Sequence, residues 1–346
     1  ASTQDETSII NTVETSSIYT AINLMNSYIG KELNLSHCKL VVFSEEVATK
    51  GISNEIYTLI NDVQIRPSTN IIVSKTDAKY YIEASKPSLE TLPTKYYEIF
   101  PNSSKYTGYT SNATIGDFFN GLTCNTCQPF AILGGTIDSN IDNLKDYASS
   151  DPLNAGNAKS NETSIAGKRG AENIGLAVFK NDKLVGELTA METVCFSLMR
   201  NHVDGFLITI PDPRDDESYI DLYLFPAKDT KGNVDIINGT PYITVDCKFN
   251  GRIYSMKKDS RYLDNTVLDE ISKTASKYIE LQISNYLYKT SKDLKADING
   301  FAKYVLRKFT TLDEFERYNW IQNYENSFFT VNSDVCIKSG FLLTET

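Results

Sequence analysis

Histidine is almost missing from this chain: only His37 and His202 occur among 346 residues. General acid–base chemistry by imidazole therefore has little material to work with. Long apolar runs are missing too. The longest, Lys39–Phe43 and Gly205–Ile210, have strand length, far short of the ~20 residues that span a bilayer as a helix. No phosphate-binding glycine loop, dinucleotide fingerprint or nucleophile elbow is present. The six cysteines are too few for a disulfide scaffold in a chain this long. Cys38, Cys195, Cys247 and Cys336 sit apart, each in or beside an apolar segment, where cysteine acts as a small buried hydrophobe. A basic excess is also lacking. Lys and Arg total 34 against 44 Asp and Glu, giving −10 at neutral pH, the opposite of a general nucleic-acid footprint. The sequence starts at Ala1 without a charged n-region or a signal-type apolar stretch, so either the protein is cytosolic or a targeting segment lies upstream. These gaps lead us to expect a protein that is not an enzyme, with no catalytic residues, cofactor or metal.

What is present is ordinary globular composition, 41% hydrophobic and 23% charged, enough for a sizeable core. Apolar spacing predicts a helix over 15–30, capped by Ser16 and stopped by Gly30. Leu40–Phe43 and Asn70–Ser74 read as strands. Helical stretches at 45–50 and 54–63 join them, which implies a parallel pair with a crossover. Thr76 opens another short helix through Ile82. Pro87, Pro93 and Pro101 then break the pattern, and a domain boundary is expected near residue 98. The middle region has a helix within 111–122, a strand at 128–134 and a hairpin turning on Asn181-Asp182, residues that tolerate positive φ. A helix follows over about 190–200, and 148–172, poor in large apolar side chains, is expected to be a mobile loop. From Val203 onward come strands at 205–210, 219–225 and 241–249, a long helix from Asp264 or Asn265, a second helix over about 292–309 and an alternating strand at 329–337. The expected fold class is α+β in three mixed α/β domains, 1–98, 99–200 and 201–346, the last an antiparallel sheet packed by long helices.

Few residues group as a site would. Cys124-Asn-Thr-Cys127 has the spacing of a redox motif or half a zinc site. It follows a helix instead of opening one, and His37-Cys38 offers poorly placed further ligands, so a local disulfide or plain thiols is the expected reading. His37 itself is expected to be a structural hydrogen-bonding residue. The acidic stretch Asp212–Glu217 lacks a calcium-loop glycine and reads as a solvated turn. On the helix expected over 292–309, Lys292, Lys295, Lys303 and Arg307 fall opposite the stripe of Leu294, Ile298, Phe301, Ala302, Val305 and Phe309. Those four cations are the candidate contact with a partner or an anionic membrane.

Three stretches carry a resemblance. The first runs from Thr15 through Leu35-Ser36-His37 into the first strand and on to Glu46-Val47-Ala48 and Gly51. The second is Gly175-Leu176-Ala177-Val178-Phe179-Lys180-Asn181-Asp182-Lys183-Leu184-Val185-Gly186 followed by Glu192. The third is Asp297-Ile298-Asn299-Gly300-Phe301, with Trp320 and the terminal strand downstream. In order and spacing they resemble the Ger(x)C family, the C-subunit lipoproteins of bacterial spore germinant receptors. Ala302 stands where a second glycine is common in that family. The resemblance implies a non-enzymatic subunit needed for nutrient-triggered germination. It further implies membrane-spanning receptor subunits as partners, a lipid anchor upstream of Ala1, and a place on the extracytoplasmic side of the inner spore membrane. Two other readings stand beside it: a stand-alone extracellular small-molecule binding protein, and a redox or metal protein built on Cys124 and Cys127.

Overall fold

A computed structural model describes residues 10–85, 96–97, 100–124, 126–137, 156–163, 165, 170–256 and 265–337. Helix α1, Ile18–Ile29, is capped by the Ser17 hydroxyl, one residue later than the sequence suggested, and ends on Gly30 at φ 70°. Strand β1, Leu40–Ser44, leads through α2, Glu45–Lys50, and α3, Ser53–Ile60, to β2, Asn70–Ser74. The two strands pair in parallel, Leu40 opposite Asn70 through Ser44 opposite Ser74, as the crossover pattern requires. Helix α4 spans Ala78–Ala84 and starts from an Asp77 cap, two residues later than expected. Helix α5, Ile115–Thr123, opens on a Thr114–Asp117 capping box.

All five residues of β2 are buried, as befits a strand covered on both faces. It has a neighbour on each side: β3, Phe130–Thr136, pairs with it in parallel. Strands β4, Ala171–Lys180, and β5, Lys183–Leu188, extend the same sheet antiparallel, in the order β1-β2-β3-β4-β5. The strands on either side of the expected boundary near residue 98 therefore share one sheet, while residues 98 and 99 themselves lie outside the described residues. Prolines there mark the connection between β2 and β3. The β4–β5 turn holds Asn181 at φ 56°, as its hairpin reading required. Its Asp182 carbonyl accepts from the Ile52 N–H at 3.1 Å. Gly51, at φ 116°, lies so close that a Cβ there would meet Asp182 Oδ2 at 2.6 Å.

The stretch expected to be a mobile loop needs correction where it is described. Ser160 is fully buried, donates its N–H to Ile174 O and its hydroxyl to Leu133 O, both at 2.9 Å, and accepts from the Ile174 N–H. Small residues suit this close approach: a Cβ on Gly135 would lie 2.6 Å from Asn161 N. Residues 156–163 are thus packed on β3, and the parts of the loop at 148–155, 164 and 166–169 lie outside the described residues.

Helix α6, Ala190–Met199, leads to the second sheet. There β6, Phe206–Asp212, β7, Asp215–Ile237, and β8, Thr240–Ser255, run antiparallel, and β9, Phe328–Ile337, joins β8 in parallel. The long helix α7, Asn265–Tyr288, buries Ile271, Ala275, Ile279 and Ile283. Its polar residues close the sheet edge. Glu280 Oε1, Ser276 Oγ and Ser272 Oγ accept from the N–H groups of Ser333, Val335 and Ile337 at 3.0, 3.0 and 3.3 Å. Both sheets share one continuous apolar cluster.

The second long helix is not there. After Tyr288 the chain makes a wide turn in which the Leu294 N–H reaches Lys289 O at 3.0 Å. Lys295 adopts φ 52° and Gly300 φ 71°, and only α8, Ala302–Val305, is α-helical before a tight turn over Leu306–Lys308. The cause is local. Asp297 takes the Gly300 and Ala302 N–H groups on its own carboxylate at 2.8 and 3.1 Å, a side-chain alternative to the helical ladder. Leu294, Ile298, Phe301, Ala302 and Val305 are still buried, so their spacing reported burial and not helix. Helices α9, Leu312–Tyr318, and α10, Trp320–Tyr324, complete the chain before β9.

Candidate functional site

The segment that fails to be a helix lies across the junction between the sheets. Helix α6 starts from a Thr189–Glu192 capping box, and nine of its ten residues are buried. Arg200 follows at its C-terminal end, where a cation complements the helix dipole. Its guanidinium lies 5.0 Å from the Phe130 ring centroid and 5.3 Å from that of Phe196. It donates from Nη1 to the Ile298 carbonyl at 3.3 Å. Two further bonds fix the junction. The Gln128 N–H donates to Asp297 O at 3.2 Å, and Gln128 Oε1 accepts from the Asn181 N–H. Leu294 fills the space above Gly186, where a Cβ would meet it at 2.4 Å.

Asp297 is the polar centre of this loop. It is fully buried, and its Oδ2 also accepts from Trp320 Nε1 at 2.8 Å. Burial pushes its pKa above the usual carboxylate value, and the Trp320 and backbone donors offset that only in part. Burial likewise lowers the pKa of Arg200. His202 is held below the usual imidazole value by its own burial and then by the Arg200 charge.

Between α5, α6 and the loop lies a cleft of about 410 Å³, with Asp117, Cys127, Phe130, Arg200, Asn299 and Lys303 among its walls. Cys124 and Cys127 are joined as a disulfide on its rim. Cys124 is the C-terminal cap of α5, so the pair follows that helix where a redox motif opens one. Among the described residues no three His, Cys, Asp or Glu side chains gather as a metal site would. His37 is exposed in the short turn Leu35–His37. The acidic turn at 212–217 is closed by its own residues, with Asp212 Oδ1 accepting from the Arg214 N–H at 3.0 Å.

The four candidate contact cations are all exposed but share no helix face. Lys292 sits in the wide turn and Arg307 in the tight turn after α8. Lys295 pairs with Glu325 at 3.1 Å, and Lys303 Nζ lies 4.9 Å from the Tyr304 ring centroid. The structure brings only Lys303 to the cleft. Arg200, which anchors the cleft, was not singled out by sequence. Its one signal is a cation ending a nearly all-buried helix with Phe196 four residues before it.

Comparison with known proteins bears on both sheets. A family model for the spore germination protein N-terminal domain matches residues 1–133. Another, spore germination B3/GerAC like, C-terminal, matches residues 174–340. The chain belongs to the Ger(x)C family. Spore germination protein KC of Bacillus subtilis (strain 168) is 24% identical over 322 residues, covering 91% of this chain and 74% of that protein. The crystal structure of the GerBC protein superposes with a TM-score of 0.60 at 15% identity, over 87% of this chain and 79% of that one. That likeness is one of fold. Within the Ger(x)C chain, the matched segments take in both sheets and the Asp297 loop that ties them. No described helix is long and apolar enough to cross a membrane.

Proposed function

We propose that this chain is the non-enzymatic C subunit of a spore germinant receptor. The observation that carries the reading is the ordered match of two germination-family models to the two parts of the chain. In this reading it works by contact with membrane-spanning receptor subunits and is held at the outer side of the inner spore membrane by a lipid anchor upstream of Ala1. One acyl chain gives only marginal membrane binding, so a second lipid or a protein contact completes the attachment. Lys292, Lys295, Lys303 and Arg307 are the surface we assign to that contact. They lie within one short stretch of a chain that is otherwise acidic.

Deletion of the gene tests the reading. Nutrient-triggered germination should fall by orders of magnitude, while germination by a trigger that bypasses receptors stays normal, and the intact gene should restore the response. Normal nutrient germination in spores whose other receptors are removed would sink it. Metabolic labelling of the full-length protein with a fatty-acid analogue tests the anchor, and absence of label would exclude it.

A further inference from the structure

The junction cleft holds a cation on which Asp117 and Asp297 act only at a distance. Among the described residues no carboxylate lies within ion-pairing distance of Arg200, and its polar contact is a single bond to Ile298 O. A guanidinium presents five N–H donors in a planar fork, and beside the Phe130 and Phe196 rings, with one bond spent on Ile298 O, Arg200 keeps donors for a ligand. Lys303, on the same cleft, likewise has no ion-pair partner among the described residues. The carboxylate on the wall, Asp117, has its Oδ2 engaged by the N–H and hydroxyl of Thr114. Asp297, inside the loop and fully buried, accepts from Gly300, Ala302 and Trp320. Two cations, Arg200 and Lys303, therefore line the cleft against the one wall carboxylate, Asp117, with Asp297 buried near by.

We propose that this cleft binds a small organic carboxylate, seated on Arg200 with Lys303 beside it. The planar fork matches a carboxylate bidentately. The walls of Phe130, Ile298 and the Cys124–Cys127 disulfide suit a short apolar group, and a volume of about 410 Å³ holds a molecule of a few carbon atoms with room to spare. Such a site is independent of the receptor-subunit reading, since it is tested on the isolated chain.

The experiment is titration of the isotope-labelled protein with sodium propionate, followed through the arginine Nε–Hε and backbone amide resonances, with propionamide and inorganic phosphate as comparison arms. Saturable shifts centred on Arg200, Gln128 and Asn299 are expected with propionate and not with its amide. Arg200→Gln should weaken binding by about tenfold or more, the scale of a charge-assisted hydrogen bond lost from a part-buried site. Lys303→Gln, at an exposed position that leaves the fold alone, should weaken it by about two- to fivefold. Lys273→Gln, an exposed cation elsewhere, should change nothing. Absence of saturation, equal shifts with propionamide, or phosphate binding tighter than propionate would overturn the proposal. Unchanged propionate affinity in both the Arg200 and Lys303 variants would do so as well.

Discussion

Single buried carboxylates fasten this molecule, and each does so differently. Asp297 accepts three donors from two segments. Asp297→Asn keeps the shape but turns one acceptor into an NH₂ group facing donors. We expect a loss of about 2–4 kcal/mol, the cost of stranding buried donors, read as a lower urea midpoint. A midpoint equal to that of the native chain would show the loop is held by its apolar residues alone. Glu187, by contrast, is an ionic tie: its side chain is 8% exposed and meets Lys75 at 2.6 Å and Lys159 at 2.7 Å. Burial alone would raise its pKa, but the bonds from Lys159 and Lys75 outweigh burial and hold the carboxyl below its usual range. The unfolded value is about 4.3. The stabilisation is therefore fully present above that pH and is lost as pH falls through the lower folded value. Urea midpoints measured between pH 6 and 3 should drop more steeply for the native chain than for Glu187→Gln. Parallel curves would mean the pair contributes nothing.

Elements were legible wherever a local signal and its tertiary use agreed. Gly30 stops α1, Asn181 turns the hairpin, and alternation over 329–337 marked β9. The segment over 292–309 was misread because loop residues buried in a core can copy helical spacing. The turn signals Asn299-Gly300 and the nearby Asp297 were the contrary evidence. The edge cover on β9 was not legible at all, since nothing in Ser272, Ser276 and Glu280 names its partner. Geometry explains it afterwards. Four helical residues rise about 6 Å and two residues of a parallel-paired strand about 6.6 Å, so positions four apart on α7 keep step with alternate N–H groups of β9. Ser272→Ala with Ser276→Ala leaves two N–H groups of the edge without acceptors. We expect about 1–3 kcal/mol lost in total and, since a bare edge invites pairing with another chain, faster aggregation on warming. Unchanged thermal unfolding and light scattering would show that water serves these groups equally well.

At the scale of the whole molecule, the division expected near residue 98 dissolved because strand pairing across it depends on contacts far apart in sequence, which apolar periodicity does not encode. The same limit hid the cleft. Cys127, Arg200 and Lys303 come from three distant segments and meet only because the Asp297 loop docks between the sheets. The surface assigned to partner or membrane contact obeys a similar logic, since Lys292, Lys295, Lys303 and Arg307 are near one another in sequence but not on one helix face. Lys289 and Lys308, in the same stretch, are neutralised by Glu192 at 2.6 Å and Asp235 at 2.9 Å. Lys295 is paired as well, which leaves Lys292, Lys303 and Arg307 as cations without an ion pair among the described residues. Replacing all four with Glu makes the chain eight charges more negative. The fold should survive, because all four are exposed and the Lys295–Glu325 pair is open to water on its lysine side, where an ion pair is worth little. Circular dichroism and the urea midpoint should therefore stay close to those of the native chain. Sedimentation with vesicles containing anionic lipid should fall at least about tenfold at low salt. The difference should shrink at 0.15 M salt, where screening acts over about 8 Å. Co-purification of the full-length variant with the other receptor subunits separates lipid from protein contact: loss of vesicle binding alone assigns the surface to the membrane, loss of co-purification alone assigns it to a partner, and retention of both reduces it to a solvated face.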